Sequence, residues 1–191
     1  MKRDNPWTTL SSRQVYDNPW IGVVEHQVLT PAHAPGIYGT VHLKNLALGV
    51  VPVDDAGHTW LVGQWRYPLG RYSWEIPEGG GAHDVPPSDS AARELREETG
   101  IQAGHWLEIQ RLDLSNSVTD ERAVLFLAWG LEQGAPEPDD DERLEVRRLP
   151  LSEAFRMVAE GEITDAMSVA ALQRLRIMAA CGELPAGVVI G

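Results

Sequence analysis

The chain has 191 residues, 43% of them apolar, and a net charge of −12 from 16 basic and 28 acidic side chains. That size and composition fit one globular domain, or one domain with an extension, and exclude a chain too polar to build a core. The acidity argues against a nucleic-acid partner, and a phosphorylated substrate would need bound cations or local arginines to reverse the field at its site. No apolar run approaches the ~20 residues of a membrane helix. The opening residues lack the apolar h-region of a signal peptide, and the single cysteine, Cys181, permits no intrachain disulfide. The sequence therefore predicts a cytoplasmic protein with no membrane partner.

Residues 1–44 read as an N-terminal β extension and 45–191 as the main domain. Ile21–Leu29 is an expected strand, and Ile37–Lys44 alternates apolar and polar positions with a period of two. Pro31, Pro35 and Gly36 punctuate between them. Asn45–Val53 and Thr59–Arg66 are apolar strands separated by Asp54-Asp55-Ala56-Gly57, a hairpin signal. Ser73–Ile76 is short and extended, and Glu78–Pro87 is expected to be a glycine-rich loop. A helix should follow, with Ser88 or Asp89 as N-cap and Gly100 as the glycine past its end. Strands near 106–113, 122–131 and 144–149, an acidic loop at 137–142, and helices over 152–159 and 165–180 complete a mixed α/β domain. The last helix carries apolar positions at Val169, Leu172, Leu175, Ile177 and Met178.

The stretch Arg93-Glu-Leu-Arg-Glu-Glu-Thr-Gly-Ile101 carries the chemistry. At about 100° per residue, Glu94, Glu97 and Glu98 share one helical sector roughly 100° wide, beside the apolar stripe Ala91, Ala92, Leu95 and Thr99. Glu94 and Glu98 repel each other by a few tenths of ~1 kcal/mol as an i,i+4 pair, so something must offset them. Three carboxylates after a glycine loop suit a hard divalent cation, Mg²⁺ above all, which in turn bridges phosphate oxygens. Arg93 is placed to pair with Glu97. The plain alternative is a solvated acidic helix face.

From Gly79 to Ile101 the chain resembles the Nudix hydrolases. Their signature is Gly, five residues, Glu, seven residues, then Arg-Glu-aliphatic-any-Glu-Glu-any-Gly-aliphatic. Gly79 opens it and Arg93–Ile101 closes it in full, with one departure: Val85 stands where the first glutamate belongs. The resemblance implies an α/β/α sandwich around a mixed sheet. It also implies Mg²⁺ or Mn²⁺ ions held by Glu94, Glu97, Glu98 and the backbone carbonyl of Glu78, with Arg93 orienting Glu97. The implied reaction is hydrolysis of a nucleoside diphosphate linked to another group. Val85 puts support of the helix glutamates in doubt.

The segments "NPWIGVVEHQVLTP", "GQWRYPLGRYSWEIPEGG" and "GEITDAMSVAALQRL" resemble the ADP-ribose and nucleoside diphosphate sugar pyrophosphatase branch. That branch implies a homodimer in which the N-terminal extension contributes to dimerisation and to the substrate site. Trp20 is then a base-stacking candidate, with packing as the alternative, and Tyr16 a weaker one. Arg66 is expected to bind phosphate or ribose, whereas Arg71 is expected in a surface salt bridge. Glu75 either contacts substrate or metal or is a solvent-facing strand residue. ADP-ribose-specific members carry a proline in a turn past the box. Asn116 stands near that place, which favours a broader nucleoside diphosphate sugar such as ADP-ribose, ADP-glucose or GDP-mannose. Glu121 is a further substrate candidate. Glu142 in the acidic loop is the expected catalytic base, with Asp141, Asp140 and then His83 as alternatives. A non-catalytic nucleotide-sugar sensor on the same fold is the competing class.

Overall fold

The most continuous apolar segments occupy the middle of a sheet. In the computed structural model, which describes residues 4–135 and 143–190, β4 (Leu46–Pro52) and β9 (Arg122–Gln133) pair in parallel, with Leu48 opposite Val124 and Val50 opposite Phe126. Leu48, Val50, Val51, Leu125 and Leu127 are all fully shielded. Burial of both faces is why these strands lack apolar–polar alternation. β7 (Glu78–Gly81) joins β4 antiparallel and β8 (Ile101–Asp113) flanks β9, which gives a mixed sheet of order β7-β4-β9-β8. A second, antiparallel sheet of order β10-β5-β6 is built from β5 (His58–Arg66), β6 (Arg71–Glu75) and β10 (Glu145–Pro150).

α1 (Pro87–Thr99) presses Ala91 and Leu95 onto Leu48, Val50, Val124 and Phe126. α3 (Ala166–Cys181) also packs on β4, and α2 (Leu151–Glu160) packs on α3 and β10. The architecture is the expected α/β/α arrangement around a mixed sheet. Among the described residues no helix is long and apolar enough to cross a membrane.

The chain divides into two compact units, Met1–Asn45 with Asp113–Arg122, and Leu46–Leu112 with Ala123–Gly191. The first holds an antiparallel sheet of β1 (Thr8–Asp17), β2 (Ile21–Leu29) and β3 (Pro35–Leu43). The 113–122 segment is tied to β3 by Tyr38 Oη donating to the Ser117 carbonyl (2.6 Å) and by His42 Nδ1 beside Asp120 Oδ2 (2.8 Å).

Five local expectations are corrected. β1 was not anticipated, because Thr-Thr-Leu-Ser-Ser-Arg-Gln-Val-Tyr-Asp is mostly polar and every position is exposed. The Asp54–Gly57 turn forms, with Asp54 Oδ1 accepting from the Ala56 and His58 N–H groups. It joins no hairpin, however: β7 and β9 flank β4, while β6 and β10 flank β5. Pro86, not Ser88 or Asp89, occupies the N-cap position of α1, and no side chain makes a cap bond there. This leaves Pro87 at the first helical position, where a missing N–H costs nothing. Finally, the expected loop begins as β7, and in α3 Val169 is only half-buried while Ile177 is 53% exposed.

Candidate functional site

β7 and α1 meet where glycine removes every obstacle. A Cβ on Gly79 would collide with the Glu94 carboxylate, and one on Gly81 would lie 2.8 Å from Leu48 and Ser90. With both side chains absent, Glu94 Oε1 accepts the Gly80 N–H (3.1 Å) and Glu98 Oε2 accepts the Glu78 N–H (3.0 Å). Arg93 Nη2 donates to the Gly80 carbonyl (2.9 Å) and to Glu94 Oε1 (2.6 Å), while Nη1 donates to Glu97 Oε2. Two backbone N–H groups and one guanidinium thus offset the repulsion among the three glutamates. Glu98 is 5% exposed. Burial pushes the Glu94 carboxyl above its ordinary range, with Arg93 pulling the other way. Val85, at the departure from the signature, lies exposed in the turn that follows β7.

A second group of acids sits on the other side of residue 78. Glu75 is 2% exposed, which rules out the solvent-facing alternative for it. Arg66 clasps it, with Nε 3.0 Å from both carboxylate oxygens and Nη2 2.6 Å from Oε2. The same Nη2 reaches Glu78 Oε1 at 2.7 Å. Arg66, rather than Arg71, is therefore the ion-paired arginine. Arg71 instead donates to the Thr164 hydroxyl (3.0 Å). Burial lowers the proton affinity of Arg66, but Glu75 and Glu78 more than compensate and hold it above its usual range. Burial, with the charges of Asp165 and Glu75, pushes the Glu78 carboxyl well up despite Arg66.

Asp165 completes this group and was not singled out in the sequence. Its carboxylate caps α3 by accepting the Ser168 N–H (2.7 Å), and Ser168 Oγ accepts the Ile76 N–H (3.0 Å). These two bonds pin the start of α3 beside the turn between β6 and β7. Asp165 was readable as a helix start, but its proximity to Glu75 and Glu78 is a long-range contact with no local signature. Arg66, Arg71, Glu75, Glu78 and Asp165 line a cleft of about 350 Å³.

The structure thus brings Arg66, Glu75, Glu78, Arg93, Glu94, Glu97 and Glu98 into one neighbourhood, joined through Glu78. Trp20 and Glu121 belong to the other unit. Trp20 is 67% exposed, with its N–H bonded to Asn18 Oδ1 (2.9 Å), and Tyr16 is 54% exposed. Glu121 lines a separate cleft of about 340 Å³ with Asp113, Asn116, Thr119, Asp120 and Arg122. His83 is exposed in the turn after β7. Asp140, Asp141 and Glu142 lie outside the described residues.

Comparison with known proteins bears on the same regions. The NUDIX domain profile matches residues 43–172, and that of the nucleoside diphosphate sugar hydrolase N-terminal domain matches residues 7–41. An ADP-ribose pyrophosphatase of Mycobacterium tuberculosis is 35% identical over 173 residues, 87% of this chain and 82% of that protein. An ADP-ribose pyrophosphatase of Bacillus subtilis is 36% identical over 133 residues, 69% of this chain and 72% of that protein. Among solved structures, an ADP compounds hydrolase shares the fold with a TM-score of 0.83, over 96% of this chain and all of that one, at 21% identity.

Proposed function

Because this chain belongs to the Nudix hydrolase family, we propose that it hydrolyses the pyrophosphate bond of a nucleoside diphosphate sugar. The products are a nucleoside monophosphate and a sugar phosphate. The observation that carries this reading is the β7–α1 junction, where Arg93 and backbone N–H groups hold Glu94, Glu97 and Glu98 at the glycine turn. ADP-ribose is the first substrate to test, followed by ADP-glucose and GDP-mannose, since Asn116 stands where strict ADP-ribose enzymes carry a proline.

Nudix hydrolases use divalent metal, and the donor set here fits one: the acids offer hard oxygen ligands, and the Glu94 carboxylate fills the space that a Cβ on Gly79 would take. Glu94, Glu97, Glu98 and the Glu78 backbone carbonyl would hold Mg²⁺, with Mn²⁺ as a substitute. Bound there, the ion supplies charge neutralisation for the diphosphate and a more acidic water. Arg93 fixes the Glu97 carboxylate. Glu142, with Asp141 or Asp140 in reserve, takes the proton from the attacking water. That water forms a bond to one phosphorus as the bridging P–O bond breaks. Arg66, Glu75 and Glu121 contact substrate, and Trp20 stacks on the base.

The active form is a cytoplasmic homodimer in this reading. Its support is β1, exposed at all ten positions, and a three-stranded sheet with too little apolar burial to stand alone.

The test is a hydrolysis panel with Mg²⁺ and EDTA controls: ADP-ribose, ADP-glucose, GDP-mannose, UDP-glucose, NADH and a nucleoside triphosphate, with products identified by mass. Metal-dependent release of nucleoside monophosphate plus sugar phosphate is expected. Activity on triphosphates alone would overturn the nucleotide-sugar reading. Binding of a nucleotide sugar without turnover would favour the sensor class.

A further inference from the structure

The acids on the far side of residue 78 form a cluster separate from the helix glutamates. One carboxylate oxygen each from Glu75, Glu78 and Asp165 lies within 4.8 Å of the others. Two oxygens on opposite sides of one divalent cation lie about 4.2–4.8 Å apart for ligand distances of roughly 2.1–2.4 Å, so the spacing suits a shared ion. The cluster is not a solvated acidic patch. The Glu75 and Glu78 side chains are 3% and 8% exposed. Glu78 Oε1 is bonded to Arg66, but Glu78 Oε2 is buried with no hydrogen-bond partner. A buried, partnerless carboxylate oxygen costs on the order of 1–3 kcal/mol or more, which a ligand in the cluster would recover. Charge points the same way. Three carboxyl groups face the Arg66 guanidinium, and among the described residues the one other positive group lining the cleft is Arg71, which is bonded to Thr164.

We propose that Glu75, Glu78 and Asp165 bind a divalent cation through their side chains, at a site additional to the one formed by Glu94, Glu97 and Glu98. The backbone favours this arrangement. Asp165 is held by its bond to the Ser168 N–H, and Ser168 in turn fixes Ile76, between the two glutamates. Binding the cation loosens the grip of Glu75 and Glu78 on Arg66, and the freed guanidinium then serves an anionic ligand in the same cleft. The site rests on these side chains alone and stands or falls apart from the proposed hydrolysis.

The experiment is an Mn²⁺ titration of the full chain without substrate, with free Mn²⁺ read by electron paramagnetic resonance. Four proteins are compared: wild type, Glu78→Gln, Asp165→Asn, and Glu94→Gln/Glu97→Gln/Glu98→Gln. Glu78→Gln keeps the backbone carbonyl of residue 78, and Asp165→Asn keeps a good helix cap, so neither change removes the helix-glutamate site or the α3 start. The expected result is loss of one bound Mn²⁺ per chain, or weakening by about tenfold or more, in both single variants. The triple variant should keep one Mn²⁺, and Mn²⁺ should still raise its Tm. Asp165→Asn carries the test if Glu78→Gln does not fold. Wild-type stoichiometry and affinity in Asp165→Asn, or no Mn²⁺ on a folded triple variant, would overturn the site and leave a proton-bridged carboxyl cluster only. Loss of hydrolysis in the triple variant with this Mn²⁺ retained would separate the two sites cleanly.

Discussion

In the unit built on β4 and β9, Leu48, Leu95, Leu125 and Leu127 are fully shielded, and Glu94, Glu97 and Glu98 project from the helix packed on that frame. In the unit built on β1, β2 and β3, Val28 is the one buried apolar side chain among the described residues. The first unit is held by burial, which writes a strong pattern into the sequence. The second is held by strand pairing and polar links such as His42–Asp120 and Lys44–Asp17, which contribute little when exposed. The contrast separates a unit stabilised by apolar burial from one stabilised by strand pairing and exposed polar links.

The largest effect that would sharpen this contrast is on stability. Leu95→Ala removes a fully buried side chain and should cost about 2–5 kcal/mol. Val15→Ala, at a 47% exposed position of β1, should stay within about 0.5 kcal/mol. Urea denaturation of both variants checks this, and equal losses would break the comparison.

Next is a change in substrate affinity without a change in fold. Trp20→Ala should raise KM by the equivalent of about 1–3 kcal/mol while leaving Tm unaltered. Unchanged KM with a lower Tm would instead make Trp20 a packing residue.

A smaller effect tests the buried acid. Glu78 holds its proton more tightly in the folded chain than in the unfolded one, where a glutamate titrates near ~4.3. Between those two values the folded state binds more protons, so this contribution to stability falls as pH rises. In metal-free buffer, Glu78→Gln should therefore match wild type at about pH 4 and become progressively more stable than it toward pH 8. Thermal melts across that range decide it, and a constant difference would contradict the burial of an ionisable group at Glu78.

The same contrast explains what the sequence revealed. Ile21–Leu29 was legible as a strand, and the stretch carrying Glu94, Glu97 and Glu98 as a helix, because their signals are local in period and spacing. β1 was not, since a strand with polar residues on both faces has no period to read. The Asp54–Gly57 turn was read correctly, but pairing depends on which edges neighbouring strands occupy. The meeting of Asp165 with Glu75 and Glu78 was invisible for the same reason: its anchoring bond, Ile76 to Ser168, spans 92 positions.

The most direct measurement is turnover of the best nucleoside diphosphate sugar by wild type and Glu98→Gln, each with Mg²⁺ and with EDTA. The account predicts fast wild-type hydrolysis that EDTA abolishes, and a folded Glu98→Gln slower by about 10²-fold or more. Wild-type turnover that persists in EDTA, or a Glu98→Gln variant as active as wild type, would contradict it.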